Sequence, residues 1–340
     1  MKGSRFHACA TCIHFQAARI HGKMNYKCNR LGYDTQPNYQ FNCWTPKEHV
    51  IRLMEKEKKK GVDGLKYIKS QEWLADHLED SNVRVIDCRF TLGNPEAGKE
   101  AYLNSHIPGA LYFHLEDDLS SKPSDHGGRH PLPDSLQLKG KLERAGIDAS
   151  TTVVAYDNGE GSYAGRFWWL LTYLGHTKVY ILDGGYTKWV QNGYTSTHEV
   201  PAFDKTTFSI NIQDNMLASY EDIKNIIANQ SAILIDSRAR NRYLGLEEPI
   251  DKKPGHIPGA INIVWEDGFI NGSWKSAEKQ KERFAHMDPE KPIIVYCGSG
   301  VTATPNFIAL KEAGYKNVKL YAGSYSDWVS YEENSVELGE

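Results

Sequence analysis

The sequence predicts an α/β protein made of two tandem copies of one domain, each a mostly parallel sheet flanked by helices, behind a small cysteine-bearing module. Three observations predict it. Short β-branched runs alternate with segments of helical periodicity along most of the chain, as expected of strands buried on both faces. Four segments recur in register: VRVIDCRF (83–90) with AILIDSRA (232–239), SHIPGALYF (105–113) with GHIPGAINI (255–263), TVVAYDNGEGSYA (152–164) with PIIVYCGSGVTA (292–303), and VYILDGGYTKW (179–189) with VKLYAGSYSDW (318–328). Their offset stays between 139 and 150 residues, which a duplication explains and chance repetition of one motif does not. Finally, four of the six cysteines fall before residue 44.

Residues 1–46 hold Cys9, Cys12, Cys28 and Cys43 in the spacing C-x2-C-x15-C-x14-C. A close pair followed by two more cysteines suits a tetrahedral thiolate site, and so small a segment needs bound metal for folding energy. Structural zinc is the expectation; an iron–sulfur cluster or a regulatory dithiol also uses such thiols. Phe15, Tyr26, Tyr33, Tyr39, Phe41 and Trp44 argue against a disordered tail, and His7, His14 and His21 are spare ligands. Residues 47–62 are a charged run, read as a solvated helix or linker.

The first copy is placed at 63–205 and the second at 206–340, with the polar segment 190–217 connecting them. In the second copy the strand Ile293-Ile294-Val295-Tyr296 ends at Cys297, and helical spacing resumes from Asn306. Gly298 and Gly300 let the intervening backbone curl so that several N–H groups face one point, with a helix start behind it. A thiolate is the form such a loop favours. The amides of Gly298, Ser299, Gly300, Val301, Thr302 and Ala303 are the candidate cradle for anionic sulfur. At the same position the first copy has Asp157, a carboxylate that fills such a loop permanently. The second copy is therefore the candidate catalytic domain.

Charge and composition narrow the partners. A net charge of −3 gives no reason to expect nucleic acid or an anionic membrane. No apolar run is long enough to span a bilayer and no signal peptide is evident, so a cytoplasmic location is expected.

The two HIPGA segments, the CGSGVTA loop and the duplicated Asp-x-Arg strands resemble the two-domain rhodanese family of sulfurtransferases, over roughly residues 63–335. Within it the loop looks like that of 3-mercaptopyruvate sulfurtransferases, since thiosulfate sulfurtransferases usually carry basic residues where Gly298 and Ser299 stand. The resemblance implies ping-pong transfer without an organic cofactor. Cys297 takes a sulfane sulfur from a small-molecule donor, holds it as a persulfide, and passes it to cyanide, a small thiol, thioredoxin or another protein acceptor. It also implies that Arg242 binds the anionic end of the donor, a task suited to a planar guanidinium. Asn241 replaces the family's usual glycine before it, and Asp251 stands where a second arginine is common. Arg238 matches Arg89, so an ion pair within the repeat accounts for it better than donor binding does.

The resemblance further implies a proton path from Ser299 to His106, the first-copy HIPGA histidine. His256 holds the same place in the second copy, which also makes His106 a repeat feature, and only Glu96 and Glu100 lie nearby as acids. Arg129 and His130, in GGRHPLPD (127–134), are expected to reach toward the cleft. A cysteine phosphatase is rejected, because its arginine six places after the cysteine is Ala303 here. Within the enzyme class the alternative is thiosulfate as the donor; the alternative of a different class is a non-catalytic interaction scaffold.

Overall fold

The computed structural model describes residues 8–20, 22–40, 43–52 and 64–340. His7, His21, Phe41 and most of the charged run lie outside them; of that run, residues 48–52 are helical. The chain divides into two compact units, Met1–Gly61 and Val62–Glu340.

In the first unit Phe15–Ile20 and Lys23–Cys28 form an antiparallel hairpin with Phe15 opposite Cys28. Cys12 pairs with Pro46 across an isolated bridge. These two registers bring the cysteine-bearing ends of a short segment together around few apolar side chains, too few for a core of ordinary size.

The second unit contains two five-stranded sheets whose pairs are all parallel. In spatial order the first runs Ile68–Lys69, Val179–Leu182, Thr152–Tyr156, Val83–Asp87, Ala110–Tyr112. The other runs Leu217–Ala218, Val318–Tyr321, Ile293–Tyr296, Ile233–Asp236, Ile261–Asn262. The duplication read from the sequence is thus a duplication of topology. The central strands are apolar because helices cover both faces: all four residues of Ile293–Tyr296 are buried.

Paired details repeat as well. Asp87 and Asp236 each receive an arginine two residues on, Arg89 and Arg238, and those guanidiniums lie over Tyr186 and Tyr325. His106 and His256 stack on Tyr102 and Tyr243 and exchange backbone hydrogen bonds with Thr197 and Glu337. Each histidine therefore ties a late segment of its copy to the sheet.

One apolar cluster runs through both copies. Helix Ser162–Tyr173 of the first supplies Phe167, Trp168 and Leu171, and helix Thr304–Glu312 of the second supplies Phe307, Ile308 and Leu310. The helices meet at Gly165, where a Cβ would stand 2.5 Å from Thr304 Oγ1. Burying side chains of this size stabilises by about 2–3 kcal/mol each. The polar connector is no free linker either: Phe208 is buried and Asn211 donates to the Leu174 carbonyl. No helix among the described residues is long and apolar enough to cross a membrane.

Candidate active site

Cys297 stands at the carboxyl end of the central strand Ile293–Tyr296 and is 1% exposed. Its carbonyl accepts from Tyr325 N, and its amide donates to Ser324 Oγ at 3.1 Å. That hydroxyl lies 4.0 Å from the sulfur. Ser324 holds a left-handed backbone, φ 56°, at the position where the first copy has Gly185. A serine tolerates that strain here because its hydroxyl is fixed on both sides, by Cys297 N and by the Tyr321 carbonyl. The repeat alignment gave the signal for it: one glycine replaced by a serine whose hydroxyl lies beside the thiol.

The first copy shows what the loop holds. Asp157 accepts from the amides of Gly159, Gly161, Tyr163 and Ala164, at 2.9–3.2 Å. Amides at the first three of these offsets from Cys297 belong to Ser299, Val301 and Ala303, and none has an acceptor among the described residues. Gly300 makes the curl possible, with φ 73° and an added Cβ only 2.1 Å from the Ala322 carbonyl. In the first copy the loop is an anion receptor occupied by the Asp157 carboxylate, and at the same place the second copy has Cys297.

The histidine that meets Ser299 is His130, with Nδ1 2.7 Å from Ser299 Oγ. His106 does not share this place: its ring nitrogens face the carbonyls of Tyr102 and Glu199 at 2.6 and 3.0 Å, and it is fully buried. The place beside Ser299 expected for His106 is therefore held by His130. Glu96 and Glu100 take no part in the Ser299–His130 pair; the acid near His130 is Glu116, 3.9 Å from Nε2. Burial, with Arg166 and Arg129 nearby, pushes the His130 imidazolium down to about 4, so the ring is neutral at physiological pH.

Arg166 went unnoticed in the sequence. It sits fully buried in the apolar helix Ser162–Tyr173, and its guanidinium donates to the carbonyls of Gly300, Leu119, His130 and Pro131 at 2.9–3.3 Å. Burial pulls it down to about 10, opposed by the nearby Cys297 sulfur. Its signal was available: a lone arginine in SYAGRFWWLLTY, immediately after the carboxylate-filled loop.

The arginines divide by exposure. Arg238 is 1% exposed and its fork is spent on Asp236, Glu248 and the Gly255 carbonyl, the ion pair within the repeat that the sequence favoured over donor contact. Arg242 is 17% exposed and pairs with Glu248 and Asp251 at 2.7 and 2.8 Å. Arg129 pairs with the other oxygen of Asp251. A Cβ on Gly298 would lie 2.7 Å from Arg129 Nη2 and 3.7 Å from Arg242 Nη1. Both guanidiniums therefore border the loop. Thr302 is partly exposed beside it. Cys88, the remaining cysteine of this unit, is 1% exposed and its thiol is pushed far up by burial, Asp87 and Asp157; it is packing.

In the N-terminal unit Cys9, Cys12, Cys28 and Cys43 line one small cavity with Phe15 and Trp44. Thr35 Oγ1 donates to Cys9 Sγ at 3.2 Å and Thr45 N to Cys12 Sγ at 3.4 Å. No group of three or more histidine, cysteine, aspartate or glutamate side chains among the described residues meets the geometry of a metal site. The sulfurs converge without standing at coordination spacing, so the metal module expected from the spacing is not formed in this structure. All six cysteines are free.

Comparison with known proteins places these features in context. The rhodanese-like domain family matches residues 70–192 and 219–331, one match per copy. A probable 3-mercaptopyruvate sulfurtransferase from Pseudomonas aeruginosa is 38% identical over 274 residues, 78% of this chain and 96% of that protein. Thiosulfate sulfurtransferase from Bos taurus is 34% identical over 276 residues, 76% of this chain and 90% of that protein. The crystal structure of SseA from Escherichia coli, a 3-mercaptopyruvate sulfotransferase, superposes with a TM-score of 0.68 at 30% identity, covering 76% of this chain and 99% of that one.

Proposed function

This chain belongs to the rhodanese-like family and is a sulfurtransferase, and we propose that it moves a sulfane sulfur from 3-mercaptopyruvate, through a persulfide on Cys297, to a thiol or cyanide acceptor. One observation carries the assignment to Cys297: where the first-copy loop binds the Asp157 carboxylate through four amides, the second copy has a thiol, and the amides at three of those four offsets, Ser299, Val301 and Ala303, have no acceptor among the described residues. A persulfide anion is the species such a cradle stabilises.

The step balances as follows. The Cys297 thiolate attacks the donor sulfur, the S–C bond breaks, and its electron pair leaves as the enolate of pyruvate. The proton of the donor thiol ends on that carbon, giving pyruvate and the Cys297 persulfide anion. Ser299 and neutral His130 form the relay for this proton, with Arg242 and Arg129 holding the donor carboxylate. With thiosulfate the same attack releases sulfite and needs no proton. The acceptor thiolate or cyanide then takes the outer sulfur and restores the Cys297 thiolate.

The test compares cyanide-dependent turnover with both donors. Cys297→Ser abolishes both. Ser299→Ala lowers kcat with 3-mercaptopyruvate at least tenfold, within the range of a lost proton-transfer catalyst, and leaves thiosulfate turnover within a few-fold. Equal losses with both donors would remove Ser299 from the proton path. Retained turnover in Cys297→Ser would remove the persulfide.

We further propose that Cys9, Cys12, Cys28 and Cys43 take up zinc, closing onto it from their shared cavity; the spacing of the four and their convergence on that cavity support this. The expected result is one zinc per chain, lost in Cys9→Ser. A visible charge-transfer spectrum with iron and sulfide would instead indicate a cluster, and metal-free protein with a Cys9–Cys12 disulfide a redox pair.

A further inference from the structure

The two halves of the second unit meet at the mouth of the Cys297 loop through a chain of alternating charge. Arg129, from the first copy, donates to Asp251 Oδ1, and Arg242 donates to Asp251 Oδ2 and to both oxygens of Glu248. Behind them Arg238 closes on Glu248 and Asp236. The carboxylates are locked: Asp251 and Glu248 side chains are 2% and 3% exposed, and Asp251 N donates to Glu248 Oε1. Arg129 Nε and Nη2 and Arg242 Nη1 bond to no acceptor among the described residues, and of these Arg129 Nη2 and Arg242 Nη1 border Gly298.

Charge can be counted at this entrance. Arg129, Arg242 and Arg238 stand against Asp251, Glu248 and Asp236, three against three. His130 is neutral, and Glu116 behind it adds only negative charge. Arg166 lies behind the loop, where it donates to the Gly300 carbonyl. Lys253 is turned to the carbonyls of Glu332 and Asn334. The two N–H edges that border Gly298 thus belong to guanidiniums whose own charges are matched by the buried carboxylates Asp251 and Glu248. A single carboxylate is satisfied by the hydrogen bonds alone. A dianion brings a second charge for which nothing compensates, at a distance where an uncompensated charge matters by about tenfold in affinity.

We propose that Asp251 sets donor specificity by charge: it positions Arg129 and Arg242 as a neutralised pair that admits a monoanionic 2-oxo acid thiol in preference to dianionic thiosulfate. This rests on the function proposed above and names the residue that selects its substrate. Asp251 is a positioning residue, acting through the two guanidiniums.

The readout is the ratio of kcat/KM for thiosulfate to that for 3-mercaptopyruvate, which a uniform structural loss would not move. In Asp251→Asn the ratio rises about tenfold, because the entrance gains one positive charge. In Arg129→Gln it falls. In the double variant Arg129→Gln/Asp251→Asn, neutral again, it returns to within about threefold of the wild type. A ratio unmoved in Asp251→Asn, or not restored in the double variant, overturns the assignment. The wild type supplies a check that needs no variant: kcat/KM for thiosulfate varies little with ionic strength at a neutral entrance, and a steep fall with added salt would contradict it. Absence of a Cys297 persulfide with either donor would instead overturn the functional reading on which the inference rests.

Discussion

His130 is the residue on which sequence and structure diverge most usefully. A histidine in each HIPGA segment was visible, and the first was expected beside Ser299. The structure spends both on local carbonyls, and the ring that reaches Ser299 comes from the loop 127–134. Spacing within one copy cannot report which loop of the other crosses the seam; that depends on how the copies pack. The environment of His130 makes a testable statement. Its pKa is lowered from 6.5 to about 4, so between those values the unfolded chain binds the proton and the native chain does not. Stability attributable to the neutral ring is complete above pH 6.5 and is lost as pH falls through about 4. Relative to His130→Gln, the wild type is expected to lose about 2 kcal/mol more between pH 7 and pH 5 in denaturant titrations. Parallel pH dependence of the two proteins would mean that the ring titrates normally.

At the scale of elements, the strands, the loop and the helix starts were legible because each carries a local signal: β-branched runs, paired glycines, a filled Asp157 beside an unfilled Cys297. Links between elements were not. Arg166 holds the Gly300 carbonyl 134 residues away, and Arg129 meets Asp251 122 residues away; neither pairing leaves a trace in spacing. Arg166 couples helix Ser162–Tyr173 to the Cys297 loop and presents a buried cation toward its sulfur. Arg166→Met leaves several carbonyls unpaired and is expected to cost about 3 kcal/mol of stability, with slower persulfide formation in single-turnover assays. Arg166→Lys keeps the charge without the fork, so it should recover rate more than stability. Equal rates in wild type and a folded Arg166→Met would confine the residue to a structural role.

The whole molecule joins two copies that have diverged in chemistry while keeping one architecture. The duplicated sheets were predicted with their order of segments; the single apolar cluster running through both was not, because periodicity shows that a helix face is buried but not which neighbour covers it. Trp168 and Phe307, 6.3 Å apart, illustrate the seam. Residues 62–340 are therefore expected to unfold in one transition, with circular dichroism and tryptophan fluorescence coinciding; two separated transitions would show that the copies are independently stable. The same seam brings His130 and Arg166 of the first copy to the Cys297 loop of the second, so the proposed chemistry belongs to the pair. The most direct test of that claim is intact-protein mass spectrometry after brief exposure to 3-mercaptopyruvate or thiosulfate, with Cys297→Ser treated in parallel. The account predicts a gain of one sulfur atom on the wild type, larger with 3-mercaptopyruvate, and none on the variant. An unchanged wild-type mass with both donors, or the same gain on Cys297→Ser, would contradict it.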